Sequence, residues 1–285
     1  MKSFNLVLSG GGVKSYTHLG VYKYCFERGF EFNEIVAVSG GALIAPFIFL
    51  KRNPDDLISL FKKANVHRML FPFWFVPDQF EFLLVEPCTS KLGKWVEKEF
   101  TKDELDKIQG KVPLPLHVMA TRKPMNGLDP LYTDMLKITG LKDAIAATCA
   151  ISGIFKPHKV KEHCYIDGAH WNNLPIFFDF QEPLAPLIAV NLSTPPFQKE
   201  TKGRLSKIFR GLEISSYARF QEDLKRWEEG QSCNKRGELY LINPPYQNIN
   251  SLDFDLSNKQ IDNMINCGYE SAKIALTKKE ELAKV

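Results

Sequence analysis

The first forty residues alternate between short apolar runs and glycine-rich turns, and this pattern restricts the fold more than any other feature of the chain. One apolar run covers residues 4–8, and a second, β-branched run covers residues 35–38. The segment between them has helical periodicity and stops at Gly29. Its apolar face consists of Leu19, Tyr22 and Phe26. A strand, a helix and a strand within 35 residues predict a βαβ unit, and therefore a parallel sheet with a right-handed crossover.

The rest of the chain continues this alternation of helices and strands. Asn53 and Pro54 are typical of a helix start, and Thr101 with Glu104 forms a capping box before a short helix that Gly110 closes. Further strands are predicted at residues 116–120, 164–166, 187–192 and 238–242. A long C-terminal helix is predicted at about 257–284, with Ile261, Met264 and Ile265 inward.

Composition favours one large α/β domain. Hydrophobic residues make up 44% of the 285 residues and charged residues 25%, which is enough for a sizeable core and excludes a disordered chain. No linker-like tract divides the sequence, so we predict a single domain over residues 1–285. Its core motifs lie in residues 4–192, and a helical, aromatic-rich insertion covers about 50–110.

Several classes of protein are excluded or disfavoured. The longest apolar runs, residues 42–50 and 69–76, are far shorter than the roughly 20 residues of a membrane span. The six cysteines are scattered and contain no CxxC pair, so we expect reduced thiols, no metal site and a cytoplasmic protein. The net charge of +4 is too small to indicate nucleic acid binding, although it is compatible with peripheral contact with an anionic membrane.

Ser39 lies in the segment Ala-Val-Ser-Gly-Gly, between a predicted strand and a predicted helix. This arrangement is typical of a nucleophile elbow, in which small neighbours let the backbone fold under a strained serine. Gly40 and Gly41 supply two of those small residues. Taken alone, the pentapeptide fits an ordinary small-residue turn at least as well.

The glycine run Gly10, Gly11 and Gly12, with Lys14 nearby, follows the first strand. Consecutive glycines expose backbone amides and can surround an anion. A P-loop needs glycine directly before Lys-Ser/Thr, and here Val13 intervenes, while the dinucleotide pattern fails at Ser15. An oxyanion loop beside the elbow fits better, because adjacent parallel strands bring both loops to one edge of the sheet.

Asp167 and Gly168 end the predicted strand at residues 164–166. A carboxylate at a strand end is a good position for a general base, although an Asp-Gly turn is common in itself. Asn173, Leu174 and Pro175 follow closely.

Together these three motifs resemble the patatin-like phospholipase family, from residue 6 to about residue 190. The resemblance includes residues 144–155, which lead into the Asp167 turn. It implies a three-layer α/β/α sandwich with a mostly parallel sheet and a lipid acyl hydrolase that uses a Ser39–Asp167 dyad, with Gly10–Gly12 as the oxyanion loop and no cofactor. The sequence departs from the family pattern at Ala37, Ser152 and Ala169.

Three questions stay open at the level of sequence. The departures at Ala37 and Ala169 leave a catalytically weak or inactive lipid- or protein-binding module as the alternative. The aromatic stretch at residues 69–84 fits a core, an acyl-chain wall or a lid, and residues 202–212 fit either a surface helix or an interfacial amphipathic helix. The oligomeric state is not indicated.

His170 is the only histidine after Asp167 and is too close to it to lie between that carboxylate and Ser39, so we expect Asp167 itself to be the base.

Overall fold

A computed structural model describes residues 3–64, 89–110, 115–124, 131–193, 204–245, 249, 251 and 256–282. The strands are β1 (Ser3–Leu8), β2 (Glu31–Val38), β3 (Leu116–Arg122), β4 (Leu131–Asp134), β5 (His158–Val160), β6 (His163–Asp167), β7 (Leu187–Val190) and β8 (Leu239–Ile242). The helices are α1 (Tyr16–Glu27), α2 (Gly40–Phe49), α3 (Pro54–Lys63), α4 (Thr89–Lys98), α5 (Lys102–Gln109), α6 (Leu141–Thr148), α7 (Arg204–Ser232) and α8 (Asn258–Leu282). Short 3-10 turns cover Gly12–Ser15, Met135–Lys137 and Gly168–His170.

The eight strands form one mixed, mostly parallel sheet. Its order is β5-β6-β3-β2-β1-β7-β8, with β4 paired to β3 outside that path. The central strands β3, β2, β1, β7 and β8 run parallel, as the predicted βαβ unit requires. β4 and β6 pair with β3 in antiparallel orientation, and β5 pairs with β6 in the same way. The carboxyl ends of β1 and β2 therefore lie side by side.

Helices cover both faces of the sheet, which confirms the predicted three-layer architecture. Leu6 and Leu8 of β1 face the larger core, together with side chains of α1, α2, α4, α6 and α8. Val7 points to the opposite face, where Phe220 and Trp227 of α7 pack. Strands β1, β3 and β7 are buried on both faces, as expected for parallel strands flanked by helices.

Most of the predicted elements exist, with shifted ends. Asn53 caps α3 through its side chain, and Thr101 and Glu104 form the complete capping box of α5. β2 begins at Glu31 rather than at residue 35, and β7 ends at Val190 rather than at residue 192. Tyr22 and Phe26 share one face of α1, as predicted, with their rings 5.8 Å apart, but Phe26 is 41% exposed because it lies in the last turn. The aromatic stretch at residues 69–84 lies outside the described residues.

Candidate active site

Ser39 occupies a strained turn between β2 and α2. Its backbone has φ 47° and ψ −123°, in a region that residues with a side chain rarely adopt. The turn is closed tightly, because a Cβ on Gly40 would lie 2.0 Å from Ser15 Oγ, and one on Gly41 would lie 2.7 Å from the carbonyl oxygen of Leu8. The turn therefore has the backbone geometry expected of a nucleophile elbow, with Ser39 at the N-terminus of a helix.

Asp167 is the last residue of β6, and its register on β3 brings it to the same edge of the sheet as Ser39. It pairs with Ala120 of β3, one residue beyond Met119, which pairs with Val38. Ser39 Oγ donates a hydrogen bond of 2.6 Å to Asp167 Oδ2, and the backbone N–H of Ala169 donates to Oδ1 at 2.9 Å. Burial raises the pKa of Asp167 from 3.8 to about 7, although both hydrogen bonds oppose this rise. The carboxyl is therefore partly protonated near neutral pH.

The glycine loop lies directly against Ser39. A Cβ on Gly10 would lie 2.9 Å from the Cβ of Ser39 and 2.6 Å from Asn173 Oδ1. Gly12 has φ 55°, and a Cβ there would lie only 1.9 Å from the carbonyl oxygen of Ser251. Close approach at Gly10 and a left-handed backbone at Gly12 therefore both require glycine. Gly11 has extended backbone, and a side chain there would press on Leu192.

The two remaining predicted residues support the loops rather than facing the pair. Lys14 is 3% exposed, and burial lowers the pKa of its ammonium, while the negative charge of Glu213 opposes that effect. Gly168 follows Asp167 directly, and a Cβ there would lie 2.3 Å from the carbonyl oxygen of Met119. Gly168 thus lets the Asp167 turn pack closely on β3.

The departures at Ala37 and Ala169 leave this geometry in place. Ala37 is fully buried within β2, where it pairs with Leu8 and Val118. Ala169 still provides the backbone N–H that binds Asp167, and its carbonyl accepts a hydrogen bond of 3.1 Å from Ser216 Oγ. Neither methyl group separates Ser39 from Asp167.

The pocket above Ser39 and Asp167 is lined by the glycine loop, His170, Asn173, Glu213 and Ser216. Asn173 has no assigned role in the sequence prediction, which does not include Glu213 or Ser216. Asn173 Nδ2 donates to the carbonyl of Gly10 at 3.1 Å and thereby ties the glycine loop to the segment after Asp167. Glu213 and Ser216 belong to α7, whose position over the site follows from tertiary packing and has no local sequence signal.

The histidines near the pocket are held by backbone groups. His170 Nε2 accepts a hydrogen bond of 3.3 Å from the backbone N–H of Ser152. His18 is fully buried, with Nε2 2.9 Å from the carbonyl oxygen of Ser9, and burial lowers its pKa to about 4. In both cases the ring nitrogen contacts a backbone group rather than Ser39 or Asp167.

A further buried cluster, formed by Glu34, His117 and Asp134, lies on β2, β3 and β4 and was not predicted. His117 Nδ1 lies 2.7 Å from Asp134 Oδ2, and Nε2 lies 2.9 Å from Glu34 Oε1. Burial lowers the pKa of His117, but the two carboxylates outweigh it and the net pKa lies above 6.5. The cluster therefore resembles a buried ion pair that favours imidazolium.

Comparisons with known proteins show the family to which this chain is similar. The family model described as patatin-like phospholipase matches residues 6–178. The protein YqhO of Bacillus subtilis is 23% identical over 290 residues, which cover 95% of this chain and 97% of YqhO. An NTE family protein of Mycobacterium tuberculosis is also 23% identical, and the match covers 99% of this chain but only 48% of that protein.

Two solved structures share the fold. VipD from Legionella pneumophila matches with a TM-score of 0.53 and 13% identity, covering 97% of this chain and 67% of VipD. The type III effector protein ExoU of Pseudomonas aeruginosa matches with a TM-score of 0.51 and 12% identity, covering 98% of this chain and 54% of ExoU. Within the described residues, no helix combines the length and hydropathy that crossing a bilayer requires.

Proposed function

The chain belongs to the patatin-like phospholipase family, and from this premise we propose that it is a serine hydrolase of lipid acyl esters. The observation that supports this proposal most directly is the hydrogen bond of 2.6 Å from Ser39 Oγ to a buried carboxylate, within a nucleophile elbow. Ser39 is the proposed nucleophile, Asp167 the proposed base, and the Gly10–Gly12 loop the proposed oxyanion site.

The first half of the reaction acylates Ser39. Asp167 Oδ2 takes the hydroxyl proton as Ser39 Oγ forms a bond to the ester carbonyl carbon. The carbonyl oxygen becomes an oxyanion, which amides of the glycine loop stabilise. The tetrahedral intermediate then expels the alcohol, which takes its proton from Asp167, and the acyl group stays on Ser39.

The second half of the reaction restores the enzyme. Water gives a proton to Asp167 and attacks the acyl carbon, and Ser39 leaves with that proton as the carboxylic acid is released. A pKa of about 7 suits both directions of transfer, because Asp167 is then part ionised and part protonated at neutral pH.

The proposed substrates are phospholipids or related lipid esters, reached through peripheral contact with a membrane. The family supports a lipid substrate in general, whereas the head group and the acyl position stay open. The alternative, a binding module without catalysis, was motivated by Ala37 and Ala169. Since neither residue separates Ser39 from Asp167, the contacts among the described residues of the site do not favour that alternative over hydrolysis.

Two serines of equal burial test the proposal. Ser39 and Ser15 are both 6% exposed and lie on adjoining loops, but only Ser39 contacts Asp167. Hydrolysis of a short-chain p-nitrophenyl ester and of phosphatidylcholine vesicles should be measured for wild type, Ser39→Ala and Ser15→Ala. We expect Ser39→Ala to lose hydrolysis of both substrates and Ser15→Ala to keep it.

Two results would contradict the proposal. A folded wild-type protein that hydrolyses neither substrate but binds the vesicles would support the binding module instead. A Ser39→Ala variant with wild-type turnover would assign the nucleophile to another residue.

A further inference from the structure

We propose that residues 148–150 act as a brace that sets the separation of Ser39 and Asp167, with Thr148 as a positioning residue for the nucleophile. This inference rests on the proposed function and adds a residue to its machinery. Thr148 ends α6 and is fully buried, and Ala150 lies two residues further on. One end of this short segment holds Ser39, and the other holds Asp167.

The elbow needs an external restraint. Ser39 adopts φ 47°, and a non-glycine residue keeps such a conformation only when surrounding contacts enforce it. The helix start supplies one contact, since the carbonyl of Ser39 accepts a hydrogen bond of 2.9 Å from Ala42 N–H. That bond restrains the C-terminal side of the turn. The backbone N–H of Ser39 is also buried and needs a hydrogen-bond acceptor from another part of the chain.

Thr148 provides that partner. The backbone N–H of Ser39 donates to Thr148 Oγ1 at 2.8 Å, and Thr148 Oγ1 in turn donates to the carbonyl oxygen of Met119 at 2.6 Å. A single hydroxyl thus connects the elbow, the end of α6 and β3. Because its hydrogen points to Met119, the hydroxyl oxygen can only accept from Ser39, which defines the position of the Ser39 backbone.

The other end of the brace holds the base. The backbone N–H of Asp167 donates to the carbonyl oxygen of Ala150 at 2.9 Å. Ser39 and Asp167 are 128 residues apart in the chain, but each is bonded to this three-residue segment. The brace therefore limits how far Ser39 Oγ and Asp167 Oδ2 can separate from their 2.6 Å contact.

The experiment compares hydroxyl removal at two buried threonines. Thr148→Val keeps the shape but removes the hydroxyl, and Thr148→Ser keeps the hydroxyl. Thr121→Val is the matched control, because Thr121 is 4% exposed and its hydroxyl has no hydrogen-bond partner among the described residues. The values of kcat and KM for a soluble p-nitrophenyl ester should be measured across pH, with circular dichroism and melting curves for each variant.

We expect kcat of Thr148→Val to fall by about 10²-fold, the typical effect of misplacing a reacting group by an ångström, with KM unchanged. Thr148→Ser and Thr121→Val should stay close to wild type. The acidic midpoint of kcat/KM should rise in Thr148→Val, since the Ser39 hydrogen bond that lowers the pKa of Asp167 weakens. A loss of melting temperature alone would not move that midpoint.

Other titratable groups near Asp167 do not account for such a shift. Among the described residues these groups are Tyr132, Cys149 and His170, together with Glu213 of α7, which lines the same pocket but takes no part in the Ser39–Thr148 contact. Burial raises the pKa of Tyr132 and of Cys149 well above neutrality, and it lowers the pKa of His170. An upward shift of the acidic midpoint therefore reports on Asp167.

The outcomes separate this inference from the proposed function. If wild type hydrolyses the ester and folded Thr148→Val has the same kcat and the same midpoint, the brace is refuted and the proposed function stands. If Thr148→Val does not fold, a folded Thr148→Ser with a loss as large as 10²-fold would refute the role of the hydroxyl. If wild type itself is inactive, the proposed function fails, and the inference fails with it.

Discussion

Replacing Asp167 with asparagine should abolish hydrolysis and yet stabilise the fold at alkaline pH. Asparagine has nearly the shape of the neutral carboxyl and carries no charge. Asp167 is 3% exposed, and its burial raises the pKa from 3.8 to about 7. Ionisation of this side chain therefore costs the folded state free energy that the asparagine variant does not lose.

The size of the effect follows from the two pKa values. Because the folded pKa lies above the unfolded pKa, the folded state holds the proton more tightly, and this contribution is complete below pH 3.8 and lost as pH rises through about 7. The shift corresponds to about 4 kcal/mol in total. Integration over pH gives a loss of roughly 3 kcal/mol between pH 5 and pH 8 for aspartate and none for asparagine.

Urea unfolding of wild type and Asp167→Asn at pH 5 and pH 8 measures this difference. The free energy of unfolding of the variant, relative to wild type, should increase by roughly 3 kcal/mol from the lower to the higher pH. The esterase activity of the variant should be lost at both values. If variant and wild type differ in unfolding free energy by the same amount at pH 5 and at pH 8, the pKa of Asp167 is not raised by burial. The reason to regard Asp167 as a base would then be lost.

Three further predictions concern residues around the pair. Gly10→Ala should lower kcat by about 10²-fold, because the new methyl group would displace the side chain of Ser39 from its position beside Asp167. An unchanged kcat would show that Gly10 has only a structural role in the turn. The pKa of His117 is raised in the folded protein, so its contribution to the free energy of unfolding is complete below pH 6.5 and is lost as pH rises through the folded pKa. Wild type should therefore lose stability above pH 6.5, and His117→Gln should not show that loss. Urea titrations from pH 6 to 9 test this. His170→Ala, like each other single histidine variant, should keep most of the esterase activity, and a loss of several orders of magnitude in one of them would favour a Ser–His mechanism.

The pKa of Asp167 changes how the histidine question must be tested. The pKa of Asp167, at about 7, lies in the range where histidine titrates. A pH profile alone therefore cannot distinguish the two groups. The temperature dependence of the midpoint can, because ionisation of a carboxyl has a small enthalpy and ionisation of an imidazole has a large one.

The parts of the site that the sequence predicts are those with local signals. The glycines and the small residues around Ser39 indicate a tight turn wherever the chain places it, and the βαβ pattern brings the ends of β1 and β2 together. Asp167 was identified by its position after a strand and by resemblance. Its distance of 2.6 Å from Ser39 depends on the register of β6 on β3, which no local pattern encodes.

The parts that the sequence does not predict depend on contacts between distant segments. Thr148 has no feature in the sequence that distinguishes it from other helix residues, and its role follows only from its contact with the Ser39 turn. His117 has no unusual neighbours in sequence, and its carboxylate partners come from two other strands. Glu213 reaches the pocket only through the packing of α7.

Covalent labelling with a fluorophosphonate probe, followed by mass spectrometry of the peptides, tests the Ser39–Asp167 dyad most directly. We predict one phosphonyl group per wild-type chain, attached to Ser39, with no labelling of Ser39→Ala. Labelling of Asp167→Asn should be slower by orders of magnitude, because the hydroxyl then lacks its base. Wild-type protein that stays unlabelled while folded, or that carries the label on Ser15, would contradict the assignment of Ser39 as the nucleophile.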